Sequence, residues 1–203
     1  LGGGVVGSSA IRVALGMGAD VTVLDRSVSR LSELDEQYRG QLRTVYSTAE
    51  ALEMHAREAD LIIGAVLIPG ASAPKLVTAE MLADFKPGTV MVDVAIDQGG
   101  CFETSRPTTH ADPTYEVDGV VHYCVANMPG AVARTATMAL TNATLPYIIR
   151  LASNEVGSLL MEDKHFGAGL NIVHGQLTHR AVAEALGQMW TQLHQILTAS
   201  SHL

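Results

Sequence analysis

A glycine-rich segment at the start of the chain constrains the fold most strongly. The opening reads LGGGVVG and contains the pattern G-x-G-x-x-G at Gly2, Gly4 and Gly7. In this pattern the first glycine permits a tight turn, the second lets a pyrophosphate approach the backbone, and the third lets a helix pack closely on a sheet. The N-terminus of that helix offers free N–H groups to phosphates. The segment predicts a dinucleotide-binding turn, with a purely structural glycine turn as the alternative.

The residues after this segment agree with the dinucleotide-binding interpretation. A helical pattern covers residues 6–17, and a short apolar strand at 21–24 ends at Asp25. An acidic side chain at this place accepts hydrogen bonds from the hydroxyl groups of the adenosine ribose. Because a carboxylate repels a 2′-phosphate, Asp25 favours NAD over NADP, and the adjacent Arg26 would weaken that preference.

The rest of the first 130 residues predicts an α/β domain. Residues 61–66 and 89–96 are continuous apolar runs, typical of strands covered on both faces in a parallel sheet, and helical segments separate them. This alternation predicts a Rossmann-type doubly wound parallel sheet. Later segments predict helices only, with Pro146 expected to kink or divide the first of them and no strand expected after Tyr123. We place the two domains at residues 1–134 and 135–203.

The start of the sequence lacks one element of this fold. The glycine pattern normally follows a β-strand, and only Leu1 precedes it. A sheet without its central first strand would expose strand edges and apolar faces. We therefore expect an N-terminally truncated chain, a fragment of a longer protein, and an unusual fold without that strand is the alternative.

The composition of the chain argues against several kinds of binding partner. The chain has 203 residues and a net charge of −8, which makes it a poor partner for nucleic acid or an anionic membrane. The longest apolar stretch, residues 61–69, is much shorter than the roughly 18–20 residues of a membrane span. Two cysteines, Cys101 and Cys124, form no disulfide scaffold and suggest a reducing, cytoplasmic location. The eight histidines lack metal-ligand spacing, so we expect no metal site.

A second group of candidate residues follows the third apolar run. Residues 89–110 read TVMVDVAIDQGGCFETSRPTTH, in which Asp97 leaves the strand and enters a Gly99–Gly100 turn. Ligands of open α/β sheets bind outside the carboxyl ends of the strands, which makes Asp97 a candidate functional residue. The alternative is that Asp97 merely caps a turn.

Four blocks of sequence carry a resemblance to a known family. They read LGGGVVGSSAIRVALGMGADVTVLD, ADLIIGAVLIPGASAPKLV, KPGTVMVDVAIDQGGCFETSRPTTH and YCVANMPGAVARTATMALTNATLPY. In these blocks the sequence resembles the L-alanine dehydrogenase family, which also includes the alpha subunit of proton-translocating transhydrogenase. The resemblance extends to about residue 186. Transhydrogenase shares the glycine loop but lacks the stretch AIDQGGCFETSRPTT.

The resemblance implies a fold, an activity and a set of site residues. It implies NAD-dependent oxidative deamination of L-alanine to pyruvate and ammonium, reversibly, by a cytoplasmic homo-hexamer in which residues 135–203 belong to the substrate domain. It assigns the catalytic position to Asp97. The positions that it assigns to cofactor binding are Gly2, Gly4, Val5, Val6, Gly7, Asp25, Arg30, Ser47, Val66, Leu67, Val94, Ala95, Ile96, Asp97, Arg106, Val125, Ala126, Asn127 and Met128.

Three alternatives to this function remain open. The family's catalytic histidine and its substrate-binding arginine and lysine lie in an N-terminal region that this sequence does not contain. We therefore expect this polypeptide by itself to bind NAD weakly and not to turn over alanine. The alternatives are the NAD-binding domain of transhydrogenase, a non-catalytic NAD-binding or assembly module, and an unrelated oxidoreductase of opine or lysine metabolism.

Overall fold

The computed structural model describes residues 1–66 and 73–200, the last four of these by their backbone alone. Contacts divide the described residues into two compact units, which meet along the sequence between Met128 and Pro129. The division lies a few residues before the boundary at 134/135 that the sequence suggested.

The first unit alternates helices and strands. In chain order its elements are α1 (Val5–Gly16), β1 (Val21–Asp25), α2 (Val28–Tyr38), β2 (Leu42–Tyr46), α3 (Ala49–Glu58), β3 (Leu61–Gly64), β4 (Val90–Asp93), β5 (Thr114–Val117) and β6 (Val120–Tyr123). Two 3-10 helices, Glu80–Asp84 and Ile96–Gln98, flank β4. The predicted strands at 21–24, 61–66 and 89–96 correspond to β1, β3 and β4.

The strands form the parallel arrangement that the sequence predicted. β1 pairs in parallel with β2, and β4 pairs in parallel with both β3 and β6. The backbone of Leu1 and Gly2 lies between these two groups of strands. The Gly2 N–H donates to the Leu24 carbonyl at 2.8 Å, and the Ala65 N–H donates to the Leu1 carbonyl at 2.9 Å. The parallel order is therefore β2, β1, Leu1–Gly2, β3, β4, β6, as in a Rossmann-type doubly wound sheet.

Apolar side chains of the helices pack on the sheet and form its core. On α2, Leu31 and Leu34 lie one turn apart and are buried against Val23 of β1 and Leu42 of β2. A separate cluster around Met91 of β4 buries residues from β3, α3 and the loops after β3 and β4. A cleft of about 450 Å³ is lined by α1, β1, α3 and β3. Of the predicted site residues that the structure describes, the cleft is lined by Gly2 and Gly7 alone.

The sequence interpretation missed two features of this unit. No strand was expected at residues 42–46, where β2 lies. The edge of the sheet is an antiparallel hairpin of β5 and β6, joined by Asp118 and Gly119 with φ values of 51° and 77°. An Asp-Gly pair with positive φ at both positions is typical of a two-residue hairpin turn, so this signal was available in the sequence.

The second unit is mostly helical. Its elements are α4 (Ala133–Ser153), α5 (Val156–Glu162), α6 (Lys164–Ala168), β7 (Ile172–Val173), β8 (Gln176–Leu177), α7 (Arg180–Ala185) and α8 (Leu193–Ser200). The expectation of no strand after Tyr123 was wrong, because β7 and β8 form a short antiparallel hairpin. Pro146 lies inside α4 and does not divide it. Across residues 1–66 and 73–200, none of the helices has the length and apolar character needed to cross a membrane.

Candidate functional site

Most of the predicted site residues follow the carboxyl ends of parallel strands. Leu1 leads into the glycine loop, Asp25 ends β1, and the other positions follow β2, β3, β4 and β6. These other residues are Ser47, Val66, Val94, Ala95, Ile96, Asp97, Val125, Ala126, Asn127 and Met128. Because the carboxyl ends of parallel strands share one edge, the fold brings these residues to the same side of the sheet, where ligands bind in open α/β proteins. The candidate residue Leu67 lies outside the described residues.

Packing explains the glycine loop residue by residue. Gly2 has a φ of +88°, and a Cβ at Gly7 would lie only 1.9 Å from the Gly2 carbonyl oxygen. A Cβ at Gly3 would lie 2.7 Å from Cδ1 of Leu34, so a larger residue there would displace this buried side chain, which the pattern alone did not reveal. A Cβ at Gly4 would meet no atom within 4 Å. The backbone contacts thus require glycine at Gly2 and Gly7, whereas Gly4 faces open space.

The N-terminus of α1 is open at this edge. Its N-cap residue is Gly4, which supplies no side chain to the first-turn N–H groups, and the first turn contains no acidic residue. In contrast, α2 and α3 are capped by the hydroxyl groups of Ser27 and Thr48. Val5, in the first turn of α1, is 89% exposed. Uncapped N–H groups together with the positive end of the helix dipole are suited to binding an anion.

Asp25 connects the end of β1 to the glycine loop. Its Oδ2 accepts a hydrogen bond from the Gly3 N–H at 2.7 Å, and its Oδ1 accepts one from the Ser27 N–H at 2.8 Å. Each carboxylate oxygen can accept more than one hydrogen bond. The Asp25 side chain therefore keeps capacity for a further donor, such as a ribose hydroxyl, while it holds the loop.

Arg30 contacts the glycine loop directly. Its Nε donates to the Gly3 carbonyl at 2.7 Å, its Nη2 donates to Oγ of Ser8 at 2.6 Å, and its Nη1 forms an ion pair with Glu33. The Ser8 hydroxyl in turn donates to the Gly4 carbonyl at 2.7 Å. Through these contacts Arg30 and Ser8 hold the carbonyl groups of Gly3 and Gly4 in place.

Arg106 lies on the loop between β4 and β5 rather than directly after a strand. Its guanidinium stacks over the ring of Tyr115 at 3.9 Å, and its backbone N–H donates to the Tyr115 hydroxyl at 2.8 Å. The Tyr115 ring stacks in turn on His122, with 4.9 Å between the ring centroids. The β5–β6 hairpin therefore supports the Arg106 side chain.

Asp97 lies in the 3-10 helix that follows β4, and its side chain is exposed. The neighbouring Gln98 has a side-chain oxygen, Oε1, that is buried without a hydrogen-bond partner in the part of the chain that the structure describes. The Gln98 backbone carbonyl accepts a hydrogen bond from Ala73 at 3.0 Å. An exposed carboxylate beside the carboxyl end of a central strand is accessible to a bound molecule.

Burial shifts the pKa values of three groups near the site. Burial, followed by the charge of Asp93, raises the pKa of the Cys101 thiol to about 12. Burial also raises the pKa of Tyr115 and lowers the pKa of His122. All three groups therefore stay neutral at neutral pH. Within the described ranges, no three His, Cys, Asp or Glu side chains cluster as metal ligands would.

Comparison with known proteins identifies the family. The family model described as alanine dehydrogenase/PNT, C-terminal domain, matches residues 1–180. The chain belongs to this family. It is 68% identical to an alanine dehydrogenase of Halomonas elongata over 92% of the chain and 50% of that protein. It is 51% identical to an alanine dehydrogenase of Staphylococcus saprophyticus over 97% of the chain and 53% of that protein.

Two solved structures support the same family assignment. An L-alanine dehydrogenase matches with a TM-score of 0.80 and 49% identity, over 92% of this chain and 51% of that one. A transhydrogenase from Sinorhizobium meliloti matches with a TM-score of 0.68 and 29% identity, over 89% of this chain and 48% of that one. The resemblance inferred from the sequence is thereby confirmed, and the family implies a nicotinamide cofactor. The chain spans about half the length of the curated relatives it matches.

Proposed function

We propose that this chain forms the nucleotide-binding part of an NAD-dependent L-alanine dehydrogenase. The observation that carries the proposal is the 68% identity to the Halomonas elongata alanine dehydrogenase over 92% of the chain. The second candidate, a transhydrogenase, has the weaker support of 29% identity to a solved structure.

The adenosine and pyrophosphate groups of NAD would bind at the glycine loop. The open space beside Gly4 admits a pyrophosphate, and the uncapped N-terminus of α1 supplies N–H donors to it. Asp25, already held by Gly3, would accept hydrogen bonds from the ribose hydroxyls. Because the 2′-phosphate of NADP would meet this carboxylate, we infer a preference for NAD.

The reaction would take place beside Asp97. Bound NAD supplies the acceptor for the hydride that leaves the α-carbon of L-alanine. The ammonium group of L-alanine first loses a proton, and loss of the hydride then leaves a cationic iminium. Water adds to the iminium, and the adduct breaks down to pyruvate and ammonium, so that one proton is released to solvent overall. Asp97, an exposed carboxylate after β4, would accept hydrogen bonds from the water or the amine and stabilise the positive charge of the iminium. Residues 94–97, which follow β4, would line the nicotinamide side of the site.

Calorimetric titration with NAD and NADP tests nucleotide binding. The protein that carries this chain should bind NAD more tightly than NADP, and Asp25→Asn in it should weaken NAD binding about tenfold, or about 1.4 kcal/mol. Asp20→Asn is a matched control, because Asp20 directly precedes β1 whereas Asp25 ends it. Equal NAD affinity in wild type and Asp25→Asn would refute the assignment of Asp25.

Alanine turnover tests the reaction. In the protein that carries this chain, L-alanine should drive NADH formation, measured at 340 nm, and Asp97→Asn should suppress it while ADP-ribose still binds. Hydride exchange between NADH and an NADP-binding partner, with no dependence on alanine, would support the transhydrogenase instead. Light scattering would check the homo-hexamer that the family resemblance implies, and fractionation would check the cytoplasmic location.

A further inference from the structure

The turn that carries Asp97 is held by side chains that the proposed function does not use. This segment, residues 95–102, is called the Asp97 turn below. It contains the 3-10 helix Ile96–Gln98, followed by Gly99 and Gly100, whose φ values are 87° and 74°. The N–H groups of the turn and its carbonyl groups have different partners, on different side chains.

Asp93 binds the N–H groups at both ends of the turn. It is the last residue of β4 and is fully buried. Its Oδ1 accepts from the Ala95 N–H at 3.1 Å, and its Oδ2 accepts from the N–H groups of Cys101 at 2.9 Å and Phe102 at 3.3 Å. Its Oδ2 also accepts from the Ser105 hydroxyl. A buried carboxylate needs such donors in place of water, so the chain on both sides of the turn must stay close to it.

The packing of Gly100 shows how closely the turn surrounds this carboxylate. A Cβ at Gly100 would lie 2.6 Å from Oδ2 of Asp93 and 2.8 Å from Cβ of Ser105. Neither neighbour has room to move away, because both are engaged in the same hydrogen-bond network. The backbone conformation of the turn is thus fitted to the Asp93 side chain.

Lys75 binds the carbonyl groups of the same segment. Its Nζ donates to the carbonyls of Gly99 at 2.6 Å, Gly100 at 3.0 Å and Phe102 at 3.0 Å. An ammonium group has three N–H donors, so all of them serve this one stretch of backbone. Lys75 is exposed, and its loss would therefore disturb the core much less than the loss of Asp93.

We propose that Asp93 and Lys75 are positioning residues that hold Asp97 at the nicotinamide end of the nucleotide. The anion fixes the N–H groups of the Asp97 turn, and the cation fixes its carbonyl groups. Together they prevent the peptide planes from rotating and hold the backbone that carries Asp97 in one conformation before any ligand binds. This inference rests on the proposed function, which places Asp97 beside the nicotinamide.

The experiment uses the protein that carries this chain and compares the binding of two nucleotides to the wild type and to Lys75→Met. NADH contains the nicotinamide, whereas ADP-ribose contains only the part proposed to bind at the glycine loop. The Kd for NADH should rise about tenfold in Lys75→Met, and the Kd for ADP-ribose should change less than about twofold. Lys75→Arg, which keeps the charge and several donors, should restore most of the NADH affinity. General destabilisation would weaken both nucleotides equally.

The matched control is Lys86→Met. Lys86 also donates to a backbone carbonyl, that of Glu58 at 2.6 Å, and pairs with Asp60, but it does not contact the Asp97 turn. It should change neither Kd. A selective loss of NADH affinity in Asp93→Asn would add support, and if that variant fails to fold, Lys75→Met decides alone.

Two outcomes would overturn the inference. One is unchanged NADH affinity in Lys75→Met, and the other is an equal loss of NADH and ADP-ribose affinity. If the wild-type protein that carries this chain binds neither nucleotide, the proposed function itself has failed, which distinguishes that result from a failure of the positioning role.

Discussion

Substitution of Gly4 by alanine should separate stability from nucleotide binding. The added methyl group meets no atom within 4 Å, and the φ of −67° at Gly4 is accessible to alanine. Alanine restricts the unfolded chain, which stabilises the fold by about 0.4–1 kcal/mol. It is also a poorer N-cap than glycine, which costs about 0.5–1 kcal/mol. Because these effects oppose each other, the free energy of unfolding should change by less than about 1 kcal/mol.

Gly7→Ala provides the contrast within the same loop. There the added Cβ would lie 1.9 Å from the Gly2 carbonyl oxygen, an atom of the backbone that cannot rotate away. The glycine loop or α1 must shift, and we expect a loss of about 3 kcal/mol. For a unit of this size that loss lowers the Tm by about 10 °C.

Gly4→Ala should weaken nucleotide binding strongly, although it changes the stability little. Its methyl group would occupy the open space that we assign to the pyrophosphate, so the Kd for NAD should rise at least about tenfold. Urea unfolding followed by circular dichroism measures the stability, and calorimetry measures the Kd. Unchanged NAD affinity in Gly4→Ala would refute the assignment of this space to the pyrophosphate. A loss of stability as large as that of Gly7→Ala would refute the packing argument.

Two further predictions concern pH. Since the pKa of Cys101 is raised to about 12 in the fold, the unfolded chain loses the thiol proton first above about 9, and stability falls between these values. At pH 10 the loss is about 1.4 kcal/mol, and urea unfolding of Cys101→Ala should show a shallower pH dependence. Since burial lowers the pKa of His122, the unfolded state takes up the proton first, and stability falls below about pH 6.5. A His122→Gln variant should lose less stability between pH 7.5 and pH 5, and an equal loss would contradict this reasoning.

The glycine loop and the strand ends could be predicted because they depend on local chemistry. The sequence itself shows the glycines at positions 2 and 7 and the acidic residue at the end of β1. Their residue types predicted the tight turn at Gly2 and the close packing at Gly7 that the structure has. Continuous apolar runs likewise indicated the central parallel strands. Since each parallel strand ends at the same edge, the approximate place of the candidate site followed from these local signals.

Other features were missed because their cause lies elsewhere in the chain. The close contact at Gly3 comes from the side chain of Leu34, which only the packing of α2 brings near. β2 was not expected, because residues 42–46 are a mixed polar and apolar stretch, and its pairing with β1 stabilises it as a strand. The β7–β8 hairpin is only two residues long on each side, too short for a recognisable strand pattern.

The sequence by itself determined the fold class, the family and the edge of the sheet where we expect a nucleotide to lie, because these depend on residue types at fixed spacing. Only the tertiary structure decided which side chains hold the site. Lys75 binds a carbonyl 24 positions away, and Asp25 binds an N–H 22 positions away. Such pairs form because the fold brings distant strands and loops together in space. The spacing of residues along the chain does not predict which of them will meet.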